Sequence, residues 1–223
     1  MIARELIGSA PIPGGDVLRL YRHGGDFMIV LDRNELMSTR VYGSEAALAT
    51  MTCERIAAAR QPHVLIGGYG MGYTLRAALA VLPGDAAVTV AELVPDIIEW
   101  ARGPMAGVAN GCLDDPRVRL IVGDVVKVID TSPGTFDAIL LDVDNGPDGL
   151  VRADNNRLYS RRGLGVARAA LRPGGVLAIW SAAPDAGFVR RLGEAGFAVD
   201  EVIVRARANG KGARHVIWFA RAD

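Results

Sequence analysis

The chain has 223 residues, room for one domain with a sizeable core, and half of them are hydrophobic (50%), which excludes general disorder. Its 25 Lys and Arg balance 25 Asp and Glu, and aromatics reach only 6%, so no general attraction to nucleic acid or anionic membrane and no stacking platform for single strands is expected. Two cysteines, Cys53 and Cys112, cannot build a disulfide framework or a four-ligand zinc site, whereas the 27 glycines are an excess that needs a reason.

Met1–Glu5 carries no basic stretch followed by an apolar run, and glycines and Arg76 interrupt the longest apolar stretch, Val64–Leu82. A cytoplasmic protein without a membrane span is the expectation. Val17–Arg22 and Asp26–Leu31 flank His23-Gly24-Gly25, a hairpin signal, and Glu35–Val41 offers a third strand. Residues 1–43 are therefore expected to form a small antiparallel β region. Ser44 is the candidate N-cap of a helix to about Arg60, with Ala47, Leu48, Met51 and Ile56 at helical spacing.

From His63 the pattern changes. Runs at His63–Gly67, Ala87–Glu92, Val118–Val122, Phe136–Asp142 and Val176–Ser181 are apolar along their whole length, as parallel strands covered on both faces are. Helical stretches at Tyr73–Leu82, Asp96–Arg102 and Arg161–Leu171 fall between several of them. A last helix, about Asp185–Ala195, precedes Phe197–Arg205 and Arg214–Ala220, which Asn209-Gly210-Lys211-Gly212 joins as an antiparallel hairpin. Residues 44–223 are thus expected to be one α/β domain with a doubly wound, Rossmann-like sheet of seven strands.

The strongest signal is Val64-Leu65-Ile66-Gly67-Gly68-Tyr69-Gly70-Met71-Gly72-Tyr73, an apolar strand running into a glycine cluster and then a helix. Glycines there let a ligand approach the backbone closely; a tight turn without a ligand is the alternative. The dinucleotide spacing G-x-G-x-x-G would need glycine where Tyr73 stands, which disfavours a nicotinamide dehydrogenase. Gly68-x-Gly70-x-Gly72 is instead the form associated with S-adenosylmethionine (SAM) sites. Glu92 ends the next strand, placed to bind two ribose hydroxyls; Asp124 ends the third, where it could accept from an adenine amino group; Asp142 ends the fourth. Leu93 and Val125, their neighbours, join the same pocket, and all of these fall on one edge of the sheet, where open α/β folds bind ligands.

With these motifs the chain resembles the spermidine synthase (polyamine aminopropyltransferase) family and its methyltransferase relatives. The resemblance also takes in Tyr42 with Glu45, Leu75-Arg76, Asp115-Pro116-Arg117-Val118, Phe136-Asp137, Leu158-Tyr159 and Leu171-Arg172-Pro173-Gly174-Gly175. It implies a seven-stranded SAM-dependent methyltransferase fold, Glu92 on the ribose, Asp124 on the adenine, and Asp142 orienting and deprotonating an attacking amine. Tyr159 could close over the acceptor or anchor the loop to the helix, Tyr69 and Met71 could touch the cofactor or pack under their loop, and a homodimer is the family's assembly.

Three departures bear on the reaction. Met71 stands where the family carries an acid in the glycine loop, Asn145 stands where it carries a second catalytic-site acid, and Gly43-Ser44 replaces a histidine. Fewer acids around a polycationic substrate, and less repulsion against the carboxylate of ordinary SAM, make methyl transfer to a small amine the leading expectation. Asp144 is the candidate to compensate for Asn145. Asp142, Asp144, Asp148 and Asp154, broken by Arg152, form one acidic loop that would attract a cationic acceptor. Aminopropyl transfer from decarboxylated SAM is the runner-up, and a SAM-binding regulatory protein without turnover the alternative of another class. The scattered His23, His63 and His215 show no metal-ligand spacing and read as surface or strand-end residues, Cys53 as a small buried apolar group, and Trp180 as core.

Overall fold

The computed structural model describes residues 3–143 and 157–222. Two sheets organise the chain. Four antiparallel strands, β1 (Glu5–Pro11), β2 (Val17–His23), β3 (Asp26–Leu31) and β4 (Asn34–Ser38), pair in sequence order. The expected hairpin turns at Gly24-Gly25, pairing His23 with Asp26. β1 was not anticipated: most of its residues are exposed or only half-buried, so no apolar alternation marks it.

Helix α1 (Gly43–Arg55) leads into the second sheet and stops five residues short of the expected Arg60. Ser44 does not cap it. Tyr42 holds the N-cap position, and the Ser44 hydroxyl, fully buried, donates to the Glu45 carboxylate instead. The second sheet holds β5 (His63–Gly67), β6 (Ala87–Glu92), β7 (Val118–Val122), β8 (Phe136–Leu141), β9 (Leu171–Ser181), β10 (Phe197–Arg205) and β11 (Arg214–Ala222), in the order β10-β11-β9-β8-β5-β6-β7. β5 to β9 pair in parallel, and β11 runs antiparallel between β9 and β10. This is the expected doubly wound seven-stranded sheet.

Helices α2 (Tyr73–Val81), α3 (Pro95–Arg102), α6 (Arg161–Ala170) and α7 (Ala186–Glu194) fall where expected within a residue. The short α4 (Ala106–Ala109), a 3₁₀ turn at Cys112–Asp114 and α5 (Val125–Asp130) were not anticipated. β9 starts at Leu171 rather than Val176, because Pro173 forces the preceding backbone out of the helical region; a register shift opposite Phe136–Ala138 absorbs the Pro-Gly-Gly segment.

Each face of the large sheet has its own core. On one, Leu48 of α1, Leu75 of α2 and Ile97 of α3 pack with Leu20 and Ile29 of the small sheet, so the two sheets share a single apolar cluster. On the other, Ile129 of α5, Leu164 of α6 and Phe188 of α7 pack around Trp218. Among the described residues no helix is long and apolar enough to cross a membrane. The strand order reverses between β5 and β8, the place where an open α/β sheet leaves a crevice at its carboxyl edge.

Candidate active site

That crevice is filled by a cavity of about 370 Å³, roofed by the small sheet. The glycine loop passes below it with backbone geometry only glycine tolerates well. Gly68 has φ +86° and a Cβ there would stand 2.6 Å from the Asp142 carbonyl oxygen; Gly70 has φ +54° and a Cβ would meet Met37 Sδ of β4 at 2.5 Å. The loop is thus pressed between the end of β8 and the small sheet, and Gly68 and Gly70 line the cavity as expected.

Glu92 is 5% exposed, and each of its carboxylate oxygens takes a backbone N–H: Oε2 from Tyr69 at 2.8 Å and Oε1 from Val94 at 2.8 Å. Burial raises its pKa against those bonds. The side chain therefore clasps the glycine loop to the end of β6, with the backbone N–H groups of Gly70 and Leu93 also directed at it. Asp124 caps α5, its Oδ1 accepting from Val126 N–H at 2.8 Å, and also lines the cavity. Leu93 and Val125 stand beside them in the lining.

At the switch point stand two further acids. Asp142, half-buried just past β8, accepts from Thr74 Oγ1 at 3.1 Å, and burial raises its pKa from 3.8 to about 6. Glu45 of α1, 7% exposed, is raised from 4.5 to about 7, first by burial and then by the negative charge of Asp142, against the stabilising hydroxyl of Ser44 at 2.6 Å. Ser44 Oγ in turn lies 2.9 Å from His215 Nδ1 at the start of β11. Trp180, at the end of β9, packs edge-on to that imidazole with 4.8 Å between centroids.

Glu35 of β4 completes the set of acids. With Glu45, Glu92, Asp124 and Asp142, five carboxylates line this cavity, and no Lys or Arg lines it among the described residues.

Several expectations need correction. Of the two readings open for Tyr69 and Met71, the structure shows packing under the loop: their side chains are 4% and 1% exposed and do not line the cavity, and Tyr69 Oη sits 3.5 Å from Cys112 Sγ. Gly67 and Gly72 lie outside the lining too, packed on Val125 and on the Tyr69 hydroxyl. Tyr159 takes the anchoring one of its two readings and does not line the cavity. It is 4% exposed and packs edge-on against Phe188 at 5.6 Å, because α6 and α7 share that core. Asp144, Asn145, Asp148, Arg152 and Asp154 lie outside the described residues.

His215 and Trp180, read from sequence as a strand-end residue and a core residue, both line the cavity. The antiparallel run of β11 brings its first residues beside the carboxyl end of β9, where Ser181 pairs with Val216. Glu35, Ser38 and Thr74 were missed as well. Only Glu45 carried a signal, through the motif it shares with Tyr42.

A model of the spermine/spermidine synthase domain matches residues 47–185, more than half of the chain. The polyamine aminopropyltransferase of Mycobacterium tuberculosis is 32% identical over 173 residues, which are 76% of this chain and 30% of that protein. Polyamine aminopropyltransferase 2 of Pseudomonas aeruginosa is 34% identical over 120 residues, 52% of this chain and 32% of its own. The chain thus spans about a third of these relatives' length. In fold it is similar to the spermidine synthase of Thermotoga maritima (TM-score 0.78, 20% identity, 98% of this chain and 73% of that one). It is equally similar to a spermidine synthase solved with the transition-state analogue AdoDATO (TM-score 0.77, 19% identity, covering 98% and 72%). On the strength of the matched domain, this chain belongs to the spermine/spermidine synthase family.

Proposed function

We propose that the chain is an aminopropyltransferase that uses decarboxylated SAM as donor and a small, cationic amine as acceptor. The observation that carries this reading is the charge of the cavity: five carboxylates and no cation among its described lining residues. Decarboxylated SAM brings an ammonium and a sulfonium and no carboxylate. Glu92 and Asp124 would serve the ribose and adenine of either donor, so the discrimination falls to Glu35, Glu45 and Asp142: ordinary SAM would bring its carboxylate toward these acids, and like charges about 4 Å apart near a protein surface cost roughly 4 kcal/mol per pair. The aminopropyltransferase names of the relatives point the same way. The leading expectation from sequence, methyl transfer, rested on the missing acids at Met71 and Asn145. Met71 lies outside the cavity, and Glu35, which the sequence did not single out, adds a carboxylate to it.

The residues present suit such a donor: a glycine loop without side chains in the way, Glu92 held rigid for the ribose, and Asp124 with one oxygen left beyond its cap. The sulfonium supplies an activated carbon and a neutral thioether leaving group. The chain's part is then to bind, orient and exclude water. Asp142 does one thing more. With its pKa brought up to about 6, it is ionised near neutrality yet basic enough to draw the proton from the attacking nitrogen.

Thermal stabilisation by the two sulfonium compounds tests the proposal, since a ligand that binds the native state raises its stability. Decarboxylated SAM should stabilise the protein more than SAM, and incubation with a mixture of diamines should yield an aminopropyl adduct by mass spectrometry. Preference for SAM together with methylated products would overturn it.

A further inference from the structure

Ser44 and His215 have no part in the reading above, yet they form a row with Glu45, one of its five carboxylates. The row is built from residues far apart in sequence, Ser44 and His215 being 171 positions apart, and all three lie outside residues 47–185 that match the family domain. Its geometry is tightly held. Ser44 is fully buried, the Gly43 N–H donates to the Ala206 carbonyl at 2.8 Å, and Trp180 fixes the imidazole from its edge.

A serine hydroxyl has one proton to give. With Glu45 ionised, Ser44 donates to Glu45 Oε2 at 2.6 Å and must accept from His215 Nδ1–H at 2.9 Å. With a proton on Glu45, the same two contacts run the other way: the carboxyl donates to Ser44, and Ser44 donates to the lone pair on Nδ1. The row therefore has two complete hydrogen-bonding states that differ by one concerted shift.

Resting on the aminopropyl reading, we propose that Ser44 and His215 are positioning residues that extend Glu45 into a proton outlet for the acid pair facing the acceptor amine. In the transfer, the nitrogen–carbon bond forms as the carbon–sulfur bond breaks, its electron pair staying on the thioether sulfur. The proton released by the nitrogen enters the Asp142–Glu45 pair. Ser44 then takes a proton from Glu45 while giving its own to the bare Nδ1 of His215, and the half-buried imidazolium so formed loses its Nε2 proton to water, which returns the pair to its accepting form; the imidazole regains its Nε2–H tautomer by exchange with water before the next turnover.

The charged groups that line the same cavity as Glu45 and His215 are Asp142 beyond β8, whose charge acts on Glu45, Glu35 on β4, Glu92 on β6 and Asp124 beyond β7. Tyr73 of α2 feels the charge of Glu45 and is itself raised to about 12 by burial. On β10 and β11 the next register pair is Arg205 with Arg214, one residue on and so on the opposite face of the sheet. Burial lowers the pKa of His215, so the imidazole is readily emptied of an extra proton near neutrality.

The test compares Ser44→Ala, His215→Ala and His215→Asn. Asn offers an N–H at the Nδ1 position but cannot carry a proton onward. The proposal expects kcat down about tenfold in both histidine variants, a fraction of the general-base effect, with the amine KM little changed. Ser44→Ala should also move the acid limb of the pH–rate profile to higher pH, since the hydroxyl holds Glu45 down. If His215→Asn restores wild-type kcat and profile, the row is structural and the proposal fails. A wild-type protein that transfers no aminopropyl group would sink the functional reading instead. In that case ¹⁵N NMR of His215 still decides: Glu45→Gln must shift the imidazole's titration or tautomer, and an unchanged His215 overturns the row.

Discussion

At or just before their amino ends the parallel strands carry Asp137 and Asp115, each gripped by an arginine; at their carboxyl ends Glu92, Asp124 and Asp142 face a cavity that no described Lys or Arg lines. Asp137 accepts from Arg172 at 2.6 Å and from the His63 N–H at 2.7 Å. Asp115 takes a two-pronged contact from Arg117, Nε to Oδ1 at 2.9 Å and Nη2 to Oδ2 at 2.8 Å, which holds its pKa down to about 2. Asp142 and Glu45, across the sheet, are pushed to about 6 and 7. The same residue types on the same strands thus have opposite electrostatics. The fold supplies a cation to Asp137 and Asp115; at Asp142 and Glu45 no described Lys or Arg lines the site, and the countercharge is left for a ligand to bring.

The largest effect that would break this contrast is on turnover. Asp142→Asn should lower kcat by about a hundredfold or more, the range for removal of a general base, while the affinity for decarboxylated SAM changes little. Rates and ligand affinity measured on the same preparation check it, and retained turnover would place Asp142 with the structural acids.

Stability against pH sharpens the contrast next. For Glu45 and Asp142 the folded pKa lies above the ordinary value, so the native state holds protons that the unfolded chain has already lost. Their contribution is most favourable below about pH 4 and is lost as pH rises through the folded values near 6 and 7. Asp115, held low, behaves oppositely: its contribution is present above the ordinary value of 3.8 and disappears as pH falls through about 2. Glu45→Gln should accordingly raise unfolding free energy by up to about 3 kcal/mol at about pH 8 and by almost nothing at about pH 4. Denaturant unfolding at the two pH values reads this directly, and an equal gain at both would refute the charge argument.

The two ends also differ in how far the sequence exposes them. Glu92, Asp124 and Asp142 were legible because each terminates an apolar parallel strand, and parallel strands all end on one edge. Glu35 and His215 reach the same cavity from antiparallel pieces, whose placement over that edge depends on packing between segments distant in sequence; no local pattern marks them. α5 was hidden for a different reason. Val125-Val126-Lys127-Val128-Ile129 is β-branched and reads as strand, and only the Asp124 cap and the packing of Ile129 on the far core make it helical. Tyr159 stayed open in the sequence because a tyrosine between a loop and a helix has the same local sequence whether it faces a ligand or, as here, Phe188.

The smallest expected effect lies at the arginine-paired end and concerns stability alone. Arg117 ties Asp115 to the carbonyls of Leu79, in the last turn of α2, and of Leu82, its C-cap, with its Nη2 and Nη1 each 3.0 Å from them. Arg117→Ala frees those carbonyls to water and leaves Asp115 without its cation, so about 1–2 kcal/mol of stability should go, in the range for hydrogen bonds to a charged group in a partly exposed site. Because the change is confined to the edge opposite the cavity, kcat and donor affinity should stay at wild-type values. A variant that folds but loses turnover would mean that the two ends of the sheet are not independent, and that the arginine-held acids also set the geometry of the carboxyl edge.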